Sequence, residues 1–199
     1  MDTRFIFVRH AKCAQSDEVL FGRAVDAPLD AYGERQVGAV AAHLRAVRPT
    51  LVEASPRRRA QQTARAIAAA SACELRTCDA LDEIDFGAWS GRRFAELEHD
   101  PHWRRWNTRR STACTPAGVR IADVQARVVA HLRELAARFA GATLVLVTHA
   151  EIVRAVVLHA LGRTPDEYMR VRVDPASLTV LHGSTDGLRV DLVNARAGA

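Results

Sequence analysis

The sequence predicts an α/β fold, namely a three-layer α/β/α sandwich with a mostly parallel central sheet. Strand patterns and helix patterns alternate along most of the 199 residues, as they do in chains built from strand–helix–strand units. The clearest strand, Thr143–Thr148, is apolar between its two threonines, which is typical of a central parallel strand covered on both faces. A chain of this length can bury a full hydrophobic core, so we expect a single domain over residues 1–199.

The first part of the chain shows short strands separated by helices. Residues 4–9 have the pattern of a buried strand. After a polar loop, apolar residues recur on one helical face as far as Val47, and Pro49 ends this helix because proline cannot continue it. The next elements are predicted as a buried strand at Leu51–Ser55, a helix from about Arg58 to Ala70 and a strand at Glu74–Thr77.

Residues 85–118 differ from the rest because they are rich in Trp, Arg, Gly and Pro and carry only short helical stretches. We expect a lid-like excursion within the domain rather than a second domain. Trp89, Trp103 and Trp106 are expected to pack inside this excursion instead of forming a platform for stacked bases. Its Trp- and Arg-rich composition also makes it a candidate surface for a homodimer.

The last part of the chain returns to alternating helices and strands. A long amphipathic helix begins at Ile121, and Gly141 follows its end. Thr143–Thr148 comes next, followed by a helix from about Glu151 to Leu161 that closes at Gly162. Two late strands are predicted at 178–182 and 188–193, on either side of a turn at 184–187.

Composition excludes several classes of protein. Hydrophobic residues make up 48% and charged residues 26% of the chain, as in an ordinary globular protein, and no apolar run has the length of a membrane span. Because a strand begins almost at the first residue, we predict no signal peptide and a cytoplasmic location. The net charge is +5, but the arginines are scattered and aromatic residues are few, so nucleic acid is not the expected partner.

Metal and cofactor motifs are also weak. None of the four cysteines forms a Cys-x-x-Cys pair, so they are predicted to be free thiols. His99 and His102 have His-x-x-His spacing, but no third ligand is in view, and we predict no metal. The chain has neither a Gly-x-Gly-x-x-Gly segment nor a Walker loop, so no nucleotide cofactor is predicted.

Four segments with reactive side chains follow predicted strands, at the edge where open α/β sheets place their sites. The segments are Arg9-His10, 55–63, 81–91 and 147–149. Together they offer two arginines, two histidines and a carboxyl group, which suit a tetrahedral dianion and a proton transfer. Arg59 and His149 also fall near helix N-termini, where free N–H groups favour anions.

With these segments in this order, the chain resembles the histidine phosphatase superfamily, the phosphoglycerate mutase-like group. The resemblance covers nearly the whole chain and rests on several matching segments. These are Val8-Arg9-His10, residues 22–36 from Gly22-Arg23 to Gln36, Ser55-Pro56 through Thr63-Ala64, Glu83 with Phe86-Gly87 and Trp89-Ser90-Gly91, and Val147-Thr148-His149.

The resemblance implies a phosphoglycerate mutase-like fold and a role for each matched residue. His10 would attack phosphorus and become phosphohistidine, while Arg9, Arg59 and His149 would hold the phosphoryl oxygens. Glu83 would protonate the leaving oxygen and then deprotonate a water molecule, which requires a raised pKa. Burial raises the pKa of a carboxyl group and nearby arginines lower it, and the sequence does not decide between them. Arg23 would lie at the mouth of the pocket and touch the substrate.

Some positions depart from the family pattern beside the expected phosphate. Ala11 stands where Gly is usual after the nucleophile, and Ser16 stands where a phosphate-binding Asn is common. Ser16 still offers one hydrogen bond. Glu151 would oppose a bound phosphate if it pointed into the pocket, so we expect it to point outward. The other departures are Lys12-Cys13, Ala150, and Val119-Arg120 after Thr115–Gly118.

The leading functional prediction is a metal-independent phosphomonoesterase of the histidine acid phosphatase type that acts on a small phosphorylated metabolite. A phosphoglycerate mutase would use the same residues but needs a closed pocket that excludes water. A third alternative is a weakly active member that binds a phosphorylated ligand. Relatives handle sugar phosphates, phosphoglycerates, nucleotides and ribazole phosphate, and the sequence does not choose among them.

Overall fold

A computed structural model describes residues 1–184 and 187–197 of the chain. Six strands form one sheet in the order β3-β2-β4-β1-β5-β6. They are β1 (Thr3–Arg9), β2 (Leu51–Ala54), β3 (Glu74–Thr77), β4 (Thr143–Thr148), β5 (Leu178–Ser184) and β6 (Gly187–Ala195). The first four strands pair in parallel, while β5 and β6 add an antiparallel edge. The sheet is therefore mostly parallel, as predicted.

Helices cover both faces of this sheet. The α-helices of the described residues are α1 (Ala31–Val47), α2 (Arg58–Ser71), α3 (Phe94–Leu97), α4 (Pro101–Thr108), α5 (Ile121–Arg138) and α6 (Ala150–Ala160). Helices α1 and α2 pack together on one face, and α5 and α6 pack together on the other. The predicted α/β/α sandwich is thus confirmed, and each predicted strand and helix is present within a few residues of its expected bounds.

Alternation along the strands divides the core between the two faces. In β1, Ile6 and Val8 join the apolar cluster beneath α1 and α2, whereas Phe5 and Phe7 join the cluster beneath α5 and α6. All four side chains are almost fully buried, since successive side chains of a strand point to opposite faces and both faces are covered. Residues 185 and 186, in the predicted turn at 184–187, lie outside the described residues.

The helices that follow β1 and β4 leave the sheet on opposite faces. The chain passes from β1 to α1 on one face, and from β4 to α6 on the other, although the two strands are neighbours in the sheet. This arrangement opens a crevice at the carboxyl ends of the two strands, which is where doubly wound folds bind ligands. Arg9-His10 and Thr148-His149 therefore meet at one place, and the His10 N–H donates to the Thr148 carbonyl at 2.8 Å.

Residues 85–118 pack against the α5 and α6 side of the molecule. Trp89 and Trp106 are 2% and 0% exposed, and the Phe86 ring meets the Trp106 ring edge-on at 6.4 Å. Trp103 is partly buried against the same cluster. The tryptophans pack internally, as predicted, and the two that are fully buried offer nothing to a homodimer surface. No helix of the described residues is long and apolar enough to cross a membrane.

Candidate active site

The hydrogen bonds of His10 fix which ring nitrogen is available for reaction. Its Nδ1 lies 2.8 Å from the carbonyl oxygen of Ala11, and a carbonyl only accepts, so Nδ1 carries the proton. Burial and the positive charges of Arg59 and Arg9 hold the pKa of His10 well below its ordinary value. The ring is therefore neutral near pH 7 and its Nε2 keeps a lone pair. Ala11 does not adopt a positive φ, so the methyl group that replaces glycine brings no backbone strain.

The second histidine, His149, is held from behind by a short chain of hydrogen bonds. The Ser55 hydroxyl donates to Asp82 Oδ1 at 3.2 Å, so it accepts from the Nε2–H of His149 at 2.7 Å. The Nδ1 of His149 faces Arg59 at 3.3 Å. Burial and the Arg59 charge hold the pKa of His149 well below its ordinary value. The two imidazoles lie with ring centroids 5.2 Å apart, at the carboxyl ends of β1 and β4.

Two guanidinium groups flank the histidines. Arg59, in the first turn of α2, is 1% exposed and donates to the carbonyls of Gly22 and Val25 at 2.8 and 3.2 Å. Arg9, at the end of β1, donates to the Val173 carbonyl at 2.7 Å. Among the described residues, the buried Nε of neither arginine has a hydrogen-bond partner. Unpaired buried donors are costly, so these two N–H groups suit an anion bound between them.

Glu83 places a carboxyl group beside His149. Its Oε2 lies 3.6 Å from the Nδ1 of His149, while Oε1 accepts from the Ile84 N–H at 2.9 Å. Burial raises the pKa of Glu83 to about 7 and outweighs the lowering effect of Arg59 and Arg9. The sequence did not show whether burial or the nearby arginines control the pKa of Glu83, and in the structure burial has the larger effect. A carboxyl group with this pKa exists in both protonation states near pH 7 and can act as an acid and as a base.

Arg9, His10, Arg59 and Glu83 line one cavity of about 280 Å³. His149 is 0% exposed and is not one of the lining residues. Ser16 also lines it, and its buried hydroxyl has no hydrogen-bond partner among the described residues. Residues 85–118 contribute the aromatic side chains of Phe86, Phe94 and Trp103 to the lining, together with Asn107. The lining thus combines polar donors at the sheet edge with apolar and aromatic side chains, as in a site for a small anionic ligand with an organic group.

Arg23 lies behind Glu83 and is not one of the residues that line this cavity. Its Nε donates to the Glu83 carbonyl at 2.6 Å and pairs with Asp82 Oδ2 at 3.3 Å. Arg57 pairs with the other oxygen of Asp82 at 2.9 Å. In this position Arg23 supports the backbone of Glu83, and contact with a substrate stays a prediction.

The expected outward orientation of Glu151 is wrong, because this residue lines the cavity. Its carboxylate forms ion pairs with Arg110 and with Arg154, the latter at 2.8 Å. The two arginines outweigh burial and hold the pKa of Glu151 below its ordinary value. The Arg110 guanidinium lies over the Tyr168 ring at 3.4 Å. Because two cations neutralise the Glu151 charge, its repulsion of a bound phosphate is weak.

The predicted site residues are held by further side chains that were not identified from the sequence. Ser55 lies in a matched segment and Asp82 directly precedes Glu83, but nothing in the sequence shows that Ser55 binds His149 and that Asp82 in turn binds Ser55. Thr63 accepts from the Ala11 N–H at 3.1 Å and donates to the Arg59 carbonyl at 2.9 Å, so it ties the nucleophile loop to α2. The position of Ser55 directly after β2 is the only sequence signal that could have identified it.

Comparisons with known proteins agree with this geometry. A family model described as the histidine phosphatase superfamily (branch 1) matches residues 5–196. A bifunctional protein of Mycobacterium tuberculosis is 33% identical over 195 residues, which are 96% of this chain and 54% of that protein. The chain thus spans about half the length of this relative. Phosphoserine phosphatase 1 of Hydrogenobacter thermophilus is 29% identical over 181 residues, which are 90% of this chain and 86% of that protein.

Solved structures show the same likeness. The structure named mycobacterial hydrolase 1 is 25% identical with a TM-score of 0.89, over 99% of this chain and 100% of that chain. A mycobacterial glucosyl-3-phosphoglycerate phosphatase in complex with VO3 is 26% identical with a TM-score of 0.86, over 96% of this chain and 99% of that chain.

Proposed function

The chain belongs to the histidine phosphatase superfamily, and we propose that it is a phosphatase that hydrolyses a small phosphomonoester through phosphohistidine on His10. The observation that carries the proposal is the hydrogen bond from His10 Nδ1 to the Ala11 carbonyl. It directs the unprotonated Nε2 away from its own backbone, as a nucleophilic nitrogen requires. The lowered pKa keeps this nitrogen free of a proton at neutral pH.

In the first half of the reaction, His10 Nε2 forms a bond to phosphorus while the ester P–O bond breaks. Arg9 and Arg59 hold the phosphoryl oxygens with donors that have no partner among the described residues. The charge of the bound dianion favours protonation of His149 at Nδ1. The protonated Nδ1 then donates a hydrogen bond to another phosphoryl oxygen. Ser16 offers one further hydroxyl.

Glu83 carries the proton transfers of both halves. Its protonated form gives the leaving oxygen a proton as the ester bond breaks. The resulting carboxylate takes a proton from water, whose oxygen attacks phosphorus and breaks the bond to His10 Nε2. Inorganic phosphate leaves, and Glu83 is protonated again. The pKa of about 7 suits this alternation, and the sequence of steps needs no metal ion.

The cavity and the names of the relatives support a small phosphorylated metabolite as the substrate. A cavity of about 280 Å³ fits a small phosphorylated metabolite, with the organic group against the aromatic side chains. The Hydrogenobacter relative bears the name of a phosphoserine phosphatase, and the mycobacterial neighbour that of a glucosyl-3-phosphoglycerate phosphatase. In this proposal residues 1–199 act as one domain whose 85–118 segment walls the pocket. A cytoplasmic location and a homodimer stay predictions.

A phosphoglycerate mutase is the second candidate, because two relatives bear that name. The protein from Enterobacter sp. is 30% identical over 174 residues, which are 86% of this chain and 81% of that protein. The same histidine, arginines and glutamate would serve it, and the outcome depends on whether water or a second substrate takes the phosphoryl group. A coupled isomerisation assay primed with 2,3-bisphosphoglycerate separates the two, and robust isomerisation would overturn the phosphatase proposal.

The direct test uses p-nitrophenyl phosphate with EDTA from acidic to neutral pH. We expect turnover by the wild type and a loss of at least about 10³-fold in His10→Ala. His159→Ala removes an exposed histidine at the end of α6 and serves as the matched control. If the wild type is no faster than His10→Ala, the proposal fails. Trapping of labelled phosphohistidine by acid quench then distinguishes an enzyme from a protein that only binds the ligand.

A further inference from the structure

A second cluster of reactive side chains lies outside the cavity, beneath α5. It consists of Glu53 in β2, Cys78 directly after β3 and His131 in α5. None of the three lines the cavity described above. Among the described residues, this is the only group of three or more His, Cys, Asp or Glu side chains whose ligand atoms lie within 4.8 Å of one another.

The contacts converge on one nitrogen. His131 Nε2 lies 2.6 Å from Glu53 Oε2 and 3.3 Å from Cys78 Sγ. A ring nitrogen carries at most one proton, so it cannot donate a strong hydrogen bond to both partners at once. In a Cys-His-carboxylate catalytic triad the thiol and the carboxylate bind different ring nitrogens, and here they share one. Three ligand atoms of different types within 4.8 Å of one another are instead the arrangement found around a metal ion.

The surroundings also fit a buried ion with access to solvent. The Glu53 side chain is 8% exposed and lies on the face of β2 that also carries the buried Leu51. A carboxylate in such a layer requires a strong partner. The His131 side chain is 16% exposed and Cys78 is half-buried, so an ion and a water molecule can enter from this side.

We propose that Glu53, Cys78 and His131 bind one Zn²⁺ ion, with water in the fourth position. Thiolate, imidazole and carboxylate are the three ligand types that Zn²⁺ accepts in proteins, whereas Mg²⁺ and Ca²⁺ prefer oxygen alone. Tetrahedral ligands at Zn²⁺ distances lie roughly 3.3 to 3.7 Å apart. The carboxylate and the imidazole therefore separate slightly when the ion replaces the shared proton, and the thiol is already near its required distance from Nε2.

The position of the site gives the ion a structural role behind the catalytic residues. Glu53 lies two residues before Ser55, which accepts from His149. The Cys78 N–H donates to the Ala54 carbonyl at 2.8 Å. One turn before His131 on α5, Arg127 donates to the Asp82 carbonyl at 2.6 Å. The ion would thus join the three elements that hold Ser55 and Asp82, without contact with the phosphoryl group.

Cobalt is the probe, because a Co²⁺–thiolate bond gives a charge-transfer band in the near ultraviolet and tetrahedral Co²⁺ absorbs in the visible. We expect the reduced, chelator-treated full chain to develop both absorption bands with one equivalent of Co²⁺. Added Zn²⁺ should displace the Co²⁺ and remove both bands. Cys78→Ser should lose the charge-transfer band, and Glu53→Gln should weaken binding by at least about tenfold. The exposed Cys114 provides the matched control, since Cys114→Ser should keep the band.

Two measurements on the wild type do not depend on whether a variant folds. Zn²⁺ should protect Cys78 from alkylation, as read by mass spectrometry, and should raise the unfolding temperature by about 5 °C or more at saturating concentration. Three results would each overturn the proposed site. They are the absence of the cobalt band in the wild type, an equal band in folded Cys78→Ser, and equal alkylation of Cys78 with and without Zn²⁺. The band should persist in His10→Ala, so this test stands apart from the test of phosphatase activity.

Discussion

The raised pKa of Glu83 predicts a change in stability with pH that one substitution removes. Burial keeps this carboxyl protonated in the folded protein up to a pKa of about 7, whereas its ordinary value is 4.5. The stabilising contribution of the neutral carboxyl is fully present below pH 4.5 and is lost as the pH rises through about 7. Glu83→Gln imitates the protonated group at every pH, so it does not undergo this loss.

The magnitude follows from the two pKa values. At about 1.4 kcal/mol for each pH unit, the difference between 4.5 and about 7 corresponds to about 3 kcal/mol. The side chain is 11% exposed, so solvent screening reduces this figure little. We therefore expect the free energy of unfolding of Glu83→Gln, relative to the wild type, to rise by about 3 kcal/mol between pH 4.5 and pH 8.

The assay is urea unfolding of both proteins at intervals from pH 4.5 to 8.5. Glu134→Gln, which removes an exposed carboxyl group of α5, controls for the loss of one negative charge. A difference between Glu83→Gln and the wild type that stays constant within about 0.5 kcal/mol would refute the reasoning, because burial would then not dominate the environment of this carboxyl. The same variant should also lose phosphatase turnover, since glutamine donates no proton to a leaving group.

Four further substitutions, one of them a matched control, test the packing of the fold. Gly33→Ala should destabilise the protein, because the added carbon falls on a backbone carbonyl of the loop after β1. The control Gly38→Ala in the same helix meets nothing within 4 Å and should stabilise the protein by about 0.5 to 1 kcal/mol. Urea unfolding measures both changes. Thr63→Val should cost about 1 to 3 kcal/mol and lower kcat, because it leaves the Ala11 N–H without its acceptor, and an unchanged kcat would contradict this link. Trp106→Ala should cost about 3 to 5 kcal/mol in thermal unfolding, since this side chain is fully buried.

The two neighbouring histidines show what the sequence could predict well. His10 and His149 each follow an apolar strand, and parallel strands end at the same edge of a sheet. Their meeting in the crevice between β1 and β4 therefore follows from local patterns together with the family order of the motifs. The internal packing of the tryptophans in residues 85–118 was likewise predictable, because tryptophan is rarely left exposed in a globular protein.

Glu151 shows why other positions were not predictable. Its place at the start of a helix favoured an outward orientation, but Arg110 and Arg154 draw the carboxylate into the cavity wall. Arg110 lies 41 residues away in the chain, so no local pattern shows the ion pair. The zinc ligands are separated in the same way, since Glu53 and His131 are 78 residues apart and form no spacing motif.

The sequence by itself determined the sheet, the helices and the residues at the carboxyl ends of the strands, because hydrophobic periodicity and short motifs are local properties. The tertiary structure decided which nitrogen of His10 is free and whether burial or the arginines govern the pKa of Glu83. It also decided that Arg23 pairs with Asp82. Each of these depends on the distances between groups from distant parts of the chain and on how much water remains between them. Hydrogen-bond geometry and desolvation arise only when the chain has folded, and they determine the chemistry of Arg9-His10.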